Sequence, residues 1–353
     1  MHTMTHESKE PPKPRRHAVT LHDIAKAAGV SVATASFVAN GKRDVRLTDE
    51  TRERVQRVID ELGYRPNAMA KNLVSGGSKF IGLVADAIAT TPFAGQIIHG
   101  AQDEAWKHGY VLLVANTEGN EPAEREAITM MLEHQVRGIL YSTWFHRAAD
   151  VPEALRETDF VMVNCFSPSL DSRAVVPDEV QGGRTATDML LAEGHRRVAF
   201  INTTAIAPAR VGRLEGYQAA LAAAGIDFDP ALVLDAQPDQ EGGFDAVESI
   251  LRLGVNAVFC HNDRVAMGLY DGLRARGLAI PDDIAIVGFD NQEVISAHLR
   301  PPLSTVQLPH YELGAAGVRM LLGIDEAAPD ELRRIACPPV ARQSTSAPRP
   351  VQP

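Results

Sequence analysis

The chain has 353 residues, of which 45% are hydrophobic and 23% are charged, so it can bury a large core and is long enough for more than one domain. No segment approaches the roughly 18 uninterrupted apolar residues of a membrane span, and the N-terminal residues lack the apolar core of a signal peptide, so we expect a cytoplasmic protein with no membrane partner. Three cysteines, widely separated and without a CxxC pair, indicate neither a disulfide framework nor a zinc site.

The net charge of −10 is unevenly distributed along the chain. Residues 1–79 hold 14 basic and 9 acidic side chains, a net charge of +5, whereas the remaining residues hold 21 and 36, a net charge of −15. A basic head would be attracted to phosphates, and an acidic body would be repelled by them. The asymmetry favours nucleic-acid binding by the head, although chance segregation of solvated charge would produce the same distribution.

The segment VTLHDIAKAAGVSVATASFVAN, residues 19–40, predicts two short helices around one glycine. Thr20 and Asp23 have the spacing of a capping box, and Ser31 can cap the second helix. Helical spacing predicts the following packed residues: Leu21, Ile24, Ala25 and Ala28 in the first helix, and Val32, Ala35 and Val38 in the second. Small residues before Gly29 let the helices cross closely, as in a helix-turn-helix whose second helix enters the major groove. A plain helical hairpin is the alternative.

A third helix is predicted in the segment LTDETRERVQRVIDELGY. Thr48 can cap its start, Gly63 can end it, and apolar residues recur on one face at Val55, Val58, Ile59 and Leu62. Three short helices with a basic surplus are typical of a compact DNA-binding head.

The motifs VTLHDIAKAAGVSVATASFVANG, ETRERV and ELGYRPNAMAKNL, in this order, resemble the head of the LacI/GalR (lac repressor) family of bacterial transcription regulators. The resemblance continues through GHRRVAFI, GRLEGYQAAL, CHNDRVAMG, IAIVGFDN and PPLSTVQ, and it covers residues 18 to 345. It implies a helix-turn-helix domain at 18–64, a hinge helix and linker at 65–78, and an effector-binding and dimerisation body at 79–345. A polar leader, 1–17, and a tail, 346–353, flank these regions, and residues 1–17 and 347–353 are expected to be disordered.

The resemblance implies that a homodimer binds double-stranded operator DNA through this head. Three polar residues would hold phosphates or fix the register: Thr20, Ser31 and Asn40. The other DNA-binding side chains of the second helix, which are expected to face the bases, are Val32, Ala33, Thr34, Ser36 and Phe37. Because Phe37 stands where the family frequently has an arginine, the head lacks a bidentate guanine reader and is expected to prefer A·T pairs.

The segment RPNAMAKNLVSGGSK is similar to the family's hinge helix. Asn67 would cap a helix from Ala68 to Leu73 that is too short to be stable alone. We expect it to form on DNA, with Ala70 and Leu73 contacting the minor groove and Leu73 wedged between base steps.

Short apolar runs rich in Val, Ile and Phe alternate with amphipathic segments from residue 80 onward, for example FIGLVA, FVMVNC and IAIVGFD. This alternation predicts an α/β body with parallel sheets covered by helices on both faces. The segments SLDSRAVVPDE and PPLSTVQLPH interrupt it, which favours two smaller doubly wound sheets over one large sheet. The family resemblance implies two similar subdomains joined by several crossovers, a periplasmic-binding-protein-like fold.

A ligand in such sheets binds beyond the carboxyl ends of the strands. The residues expected there combine aromatic faces with hydrogen-bonding groups: Phe93, Trp144, Phe145, Asn164, Phe166, Arg213, Asn262 and Asp290. Arg213, Asn262 and Asp290 match family positions that contact the effector, Asn164 replaces a frequent acidic residue, and Phe93 and Trp144 match more loosely. Core packing is the alternative for the aromatics, and an internal salt bridge or helix cap is the alternative for Arg213 and Asp290.

Motifs for phosphate loops, dinucleotide binding, HExxH zinc sites and GxSxG nucleophile elbows are missing, so we expect no enzyme activity, cofactor or metal. The prediction is a nucleoid-associated transcriptional regulator, expected to be a repressor, whose operator affinity is controlled by a small-molecule effector. Carboxylate, amide and guanidinium groups beside aromatic rings favour a sugar, and release of DNA is the expected response to it. A purine or nucleoside, a protein partner, and a sugar-binding protein without a DNA function are the alternatives.

Overall fold

The computed structural model describes residues 19–42, 45–64, 78–91, 93–169, 172–326, 328 and 330–347. They fall into two compact units, a head and a body, which divide between residues 77 and 78. The predicted leader, residues 65–77 of the predicted hinge and linker, and residues 348–353 of the predicted tail lie outside the described residues.

The described residues of the head form three helices: α1 (Leu21–Ala28), α2 (Val32–Ala39) and α3 (Asp49–Leu62). The predicted caps are confirmed. Thr20 and Asp23 form a complete capping box on α1, and Ser31 and Thr48 accept hydrogen bonds from the first-turn amides of α2 and α3. Gly29 and Gly63 end α1 and α3 in the left-handed conformation, with φ of 65° and 63°.

One small hydrophobic core holds the three helices together, and it buries Ile24, Ala25, Ala28, Ala35, Val38, Val55 and Ile59. The prediction that Val32 packs in this core is wrong, because its side chain is 37% exposed. Val32 is the first residue of α2, and the packing face of this helix passes through Ala35 and Val38 instead. Leu62, at the last position of α3, is also exposed.

The described strands of the body are β1 (Phe80–Ala85), β2 (Val111–Asn116), β3 (Ile139–Ala148), β4 (Phe160–Phe166), β5 (Ala174–Pro177), β6 (Val198–Thr203), β7 (Val233–Ala236), β8 (Ala257–Cys260), β9 (Ala285–Asp290), β10 (Ser304–Gln307), β11 (Leu332–Ile335) and β12 (Pro339–Val340). The described helices that cover them are α4 (Gly95–Lys107), α5 (Glu121–Glu133), α6 (Glu179–Ala192), α7 (Pro208–Ala223), α8 (Gln240–Asp245), α9 (Val247–Leu253), α10 (Asp263–Arg274), α11 (Glu293–Ser296) and α12 (His310–Leu321).

These strands form two six-stranded sheets, as predicted. The first has the order β11-β5-β4-β3-β1-β2 and is parallel throughout, and the second has the order β12-β10-β9-β8-β6-β7 with only β12 antiparallel. Each sheet lies between two hydrophobic clusters, one on each face, so each forms a doubly wound subdomain with its own core.

The chain passes between the two subdomains at three places: after β5, after β10 and after β11. The segments that we expected to interrupt the alternation therefore each contain a short strand, β5 or β10, followed by a crossover. Four-residue strands carry too little periodicity to be distinguished from a loop, which explains the difference. The crossovers place the carboxyl ends of both sheets beside one cleft.

Candidate functional site

A cavity of about 270 Å³ lies within the body, between the carboxyl ends of the two sheets. The first subdomain contributes residues that follow β1 or belong to β3, and the second contributes residues from α6, α7, α10 and the end of β9. Of the predicted effector residues, those on the wall are Phe93, Trp144, Phe145, Arg213, Asn262 and Asp290. Asn164 and Phe166 do not line this cavity.

Arg213 lies in α7 with its side chain 4% exposed, and it makes the internal salt bridge that was the alternative reading for this residue. Its Nε donates to Glu179 Oε2 at 2.9 Å, and one guanidinium nitrogen donates to the backbone oxygen of His261 at 2.5 Å. The guanidinium carbon lies 3.6 Å from the centre of the Phe289 ring. A buried arginine held in this way presents a fixed group to a ligand at much lower entropic cost than a free side chain.

Two residues of this network were missed in the sequence, Glu179 and His146. Glu179 begins α6, has its side chain 4% exposed, and lies with Oε1 3.2 Å from His146 Nδ1 in β3. Despite the burial of Glu179, the neighbouring Arg213 and His146 keep the pKa of its carboxyl below its ordinary value. No local motif marks such a pair, since its members are separated by more than 30 residues and meet only in the folded chain.

Asp290 ends β9 in the left-handed region, with a φ of 102°. One of its oxygens accepts from Gln292 Nε2 at 3.0 Å, and the other lies 3.9 Å from Arg213. Burial raises the pKa of the Asp290 carboxyl from 3.8 to about 6, and Arg213 and the Gln292 hydrogen bond oppose that rise. Asp290 is therefore a buried carboxyl whose charge is only partly compensated by the protein.

The two predicted asparagines have structural partners. Asn262 caps α10 by accepting from the amide of Val265 and donating to the backbone oxygen of Pro238, while its side chain still lies on the cavity wall. Asn164, which is fully buried in β4 with a φ of 60°, donates to the backbone oxygen of Thr143. Its position supports the strand end rather than the cavity surface.

Aromatic side chains form the apolar part of the wall. Phe93 stacks on His310, with 5.5 Å between ring centres and 29° between planes, and Trp144 meets the edge of Phe145 at 4.8 Å. Burial lowers the pKa of His310 to about 4, and it lowers that of His261 well below its ordinary value, so both rings are neutral at pH 7. Neither histidine was predicted as part of the site.

Three wall residues carry buried polar atoms that have no hydrogen-bond partner in the described part of the protein: Nδ1 of His261, Nε2 of His310 and Nε of Arg264. A buried polar group without a partner costs roughly 1–3 kcal/mol. A polar ligand bound in this cavity can supply the three missing hydrogen bonds.

The head presents a separate surface, formed by the start of α1 and one face of α2. Thr20, Ser31, Val32 and Ala33 are exposed there, and Thr34, Ser36, Phe37 and Asn40 are half-buried. Phe37 is not among the side chains that pack against the described core of the head, and Lys42 Nζ lies 5.9 Å from its ring centre.

Asn40 donates through its side-chain amide to the backbone oxygen of Ser36, at 2.9 Å. Asn67, Ala70 and Leu73 of the predicted hinge lie outside the described residues.

Among the described residues, no helix has the length and apolar character needed to cross a membrane. The same residues contain no group of three or more histidine, cysteine, aspartate or glutamate side chains placed to hold a metal ion.

Two family models match the chain. Residues 78–342 match the model of periplasmic binding proteins and the sugar binding domain of the LacI family, and residues 20–67 match the model of bacterial regulatory proteins of the lacI family. The ribose operon repressor of Haemophilus influenzae is 34% identical over 306 residues, which are 86% of this chain and 91% of that protein.

Solved structures agree. A lac repressor dimer bound to operator and an anti-inducer has a TM-score of 0.77 at 26% identity, covering 94% of this chain and 100% of that one. A complex of the transcriptional regulator CelR with cellobiose has a TM-score of 0.62 at 28% identity, covering 92% of this chain and 99% of that one.

Proposed function

The chain belongs to the LacI family of bacterial regulatory proteins, and from that premise we propose that a neutral sugar, bound in the cavity of the body, controls its binding to an operator. The protein is a DNA-binding transcriptional regulator of a family that consists of regulators and not of enzymes, and we propose that it acts as a homodimer, as the lac repressor bound to operator does. What the proposal adds is the class of effector, the residues that recognise it, and the direction of the response.

The charge of the cavity favours a neutral ligand. Two cations on the wall, Arg213 and Arg264, are balanced by two carboxyls, Glu179 and Asp290. The buried histidines add no charge at pH 7, because their pKa values are lowered. A phosphorylated sugar would need surplus positive charge, which this wall does not supply.

The three buried polar atoms without partners carry the proposal most directly. A sugar presents hydroxyls that both donate and accept, so it can satisfy the imidazole nitrogens of His261 and His310 and the Nε of Arg264 together. Phe93 and Trp144 offer aromatic faces to the apolar C–H side of a pyranose or furanose ring. The cellobiose complex and the ribose operon repressor among the similar proteins support a sugar as the effector.

On the DNA side, we propose that α2 enters the major groove. Thr20, Ser31 and Asn40 would hold phosphates or register, and Val32, Ala33, Thr34, Ser36 and Phe37 would face the bases. The exposure of Val32 and Ala33 supports this arrangement. Asn67, Ala70 and Leu73 would form the DNA-dependent hinge. Sugar binding would draw the two subdomains together and release the operator, so the protein would be an inducible repressor.

A ligand screen on the full chain tests the effector. D-ribose, D-galactose, cellobiose and adenosine are added separately, and unfolding is followed by temperature or urea. A ligand at 100 times its dissociation constant should stabilise the protein by about 2.7 kcal/mol. The variant Ala205→Trp, which fills the cavity wall, should abolish that gain, while Ile206→Trp at the neighbouring, fully exposed position should keep it.

Stabilisation by adenosine alone would replace the sugar with a nucleoside, for which the stacked Phe93 and His310 rings also offer a suitable face. A sugar that still stabilises the Ala205→Trp variant would place the site elsewhere. No stabilisation by any member of such a panel would contradict a sugar effector and favour control by a protein partner.

A further inference from the structure

The salt bridge on the cavity wall joins the two subdomains through one carboxylate, Glu179. Both of its oxygens are engaged: Oε1 lies 3.2 Å from His146 Nδ1, and Oε2 accepts from Arg213 Nε at 2.9 Å. His146 belongs to β3 of the first subdomain, whereas Glu179 and Arg213 belong to α6 and α7 of the second. Glu179 lies on the cavity wall, but each of its oxygens already has a protein partner, so its charge is committed to holding Arg213 and His146 in place.

The close packing of α6 against α7 allows the contact between Glu179 and Arg213. A Cβ added at Gly212 would lie 2.6 Å from the Cβ of Glu179, and one added at Gly183 would lie 2.6 Å from the Cα of Arg213. Neither substitution fits without moving a helix. The two glycines therefore let the helix backbones approach until Glu179 and Arg213 meet on the cavity wall.

The Arg213 guanidinium lies near two carboxyls, at unequal distances. Glu179 takes the close position at 2.9 Å, and Asp290 is left at 3.9 Å. The other groups that interact with Asp290 are the Arg264 cation, the buried Asp263 carboxyl and the Gln292 amide, and the neutral rings of His261 and His310 line the same cavity. Burial raises the pKa of Asp290, Arg213 opposes the rise, and the charge of Glu179 adds to it. Glu179 thus reduces the extent to which Arg213 compensates the charge of Asp290.

We propose that Glu179 is a positioning residue of the effector site, which fixes the Arg213 guanidinium at the cavity floor and, by neutralising it, leaves Asp290 free to accept hydrogen bonds from the ligand. This proposal rests on the proposed function, because it takes Arg213 and Asp290 to be effector contacts. Without Glu179, Arg213 would pair with Asp290 itself, and the two groups would satisfy each other instead of a sugar.

The titration of Asp290 in the ligand-free full chain tests the proposal. Aspartate is labelled with ¹³C at the carboxyl carbon, and the Asp290 signal is identified by its loss in Asp290→Asn. The wild-type midpoint is expected at about 6. In Glu179→Gln, which keeps an oxygen to accept from Arg213 but removes the charge, the midpoint should fall by about one pH unit or more, since an uncompensated cation within 4–6 Å typically has that effect.

Glu104→Gln is the matched control. Glu104 is a similarly buried carboxylate, with its side chain 7% exposed, and it pairs with Lys107 and His108 on α4. This variant also removes the charge of a buried carboxylate and its ion pair, but at α4, so it should leave the Asp290 midpoint unchanged. A merely structural role for Glu179 predicts the same result for both variants.

Glu179→Asp covers the possibility that Glu179→Gln does not fold. The shorter side chain keeps the charge but withdraws it from Arg213, so the Asp290 midpoint should move in the same direction by a smaller amount. A midpoint that stays at the wild-type value in a folded Glu179 variant overturns the proposal. Because the titration uses no ligand, that result would leave the sugar effector standing, and a failed ligand screen would not change the titration.

Discussion

Replacing Asp290 with asparagine should make the protein more stable at neutral pH, although it removes a proposed effector contact. The folded protein holds the pKa of this carboxyl at about 6 instead of 3.8, with the side chain 10% exposed. At about 1.4 kcal/mol for each unit of pKa, ionising Asp290 costs the folded state about 3 kcal/mol. Asparagine has the same shape, carries no charge, and tolerates the positive φ of this position.

The pH window follows from the direction of the shift. Between pH 3.8 and about 6, the folded state binds more protons at Asp290 than the unfolded state, so the stability of the wild type falls as the pH rises through this range. The increase in the free energy of unfolding from Asp290→Asn should therefore be close to zero near pH 4. It should reach its full value, as much as about 3 kcal/mol, above pH 6.5.

Urea unfolding of both proteins at a series of pH values between 4 and 8 measures this difference. Asp227→Asn, at an exposed position, is the control and should change stability by less than about 0.5 kcal/mol at any pH. An Asp290→Asn variant that is less stable than the wild type at pH 7.5 would refute the reasoning. It would show that Asp290 is a stabilising partner of Arg213 and not a carboxyl held ready for a ligand.

Three further predictions concern the DNA-binding surfaces and the helix packing. Phe37→Arg should shift the base preference at one half-site position toward G, with roughly 1 to 3 kcal/mol of discrimination. Selection of operators from a random pool measures this preference, and an unchanged preference would show that Phe37 does not face the bases. Leu73→Ala should weaken specific operator binding by a few kcal/mol in an anisotropy titration and leave nonspecific binding nearly unchanged, whereas equal losses on both DNAs would contradict the wedge. Gly216→Ala should lower the free energy of unfolding of the body in urea by about 1–3 kcal/mol, because the added Cβ would lie 2.5 Å from the backbone nitrogen of Arg184 in α6. Gly95→Ala is the control and should leave that free energy unchanged, since its Cβ would have no atom within 4 Å.

Local features were predictable from the sequence because their causes are local. The capping residues Thr20, Ser31 and Thr48, and the glycines that end α1 and α3, follow from side chains that bond to amides within one turn. The long buried strands were predictable as well, since continuous Val- and Ile-rich runs are typical of parallel sheets. Short strands at or near the sheet edges, such as β7 and β11, were not, because their four residues are only partly buried and lack a continuous apolar run.

The site was predictable only in part. Arg213, Asn262 and Asp290 follow strands or begin helices at the expected edge of the second sheet, and the structure brings them to one cavity. Glu179 and His146 could not be found in this way, since their role depends on the close approach of α6 and α7 and on a crossover between subdomains. Asn164 lies near the carboxyl end of its strand, as predicted, but it is fully buried there.

A sugar in the cavity of the body is proposed to weaken operator binding by the head. The direct measurement is a fluorescence-anisotropy titration of the full chain on a selected operator, with and without a sugar that stabilises the protein. Saturating sugar should raise the operator dissociation constant at least about tenfold, which corresponds to a coupling free energy of about 1.4 kcal/mol, and Asp290→Asn should bind the operator normally without responding to the sugar. An operator affinity that is unchanged by a sugar shown to occupy the cavity would contradict the account.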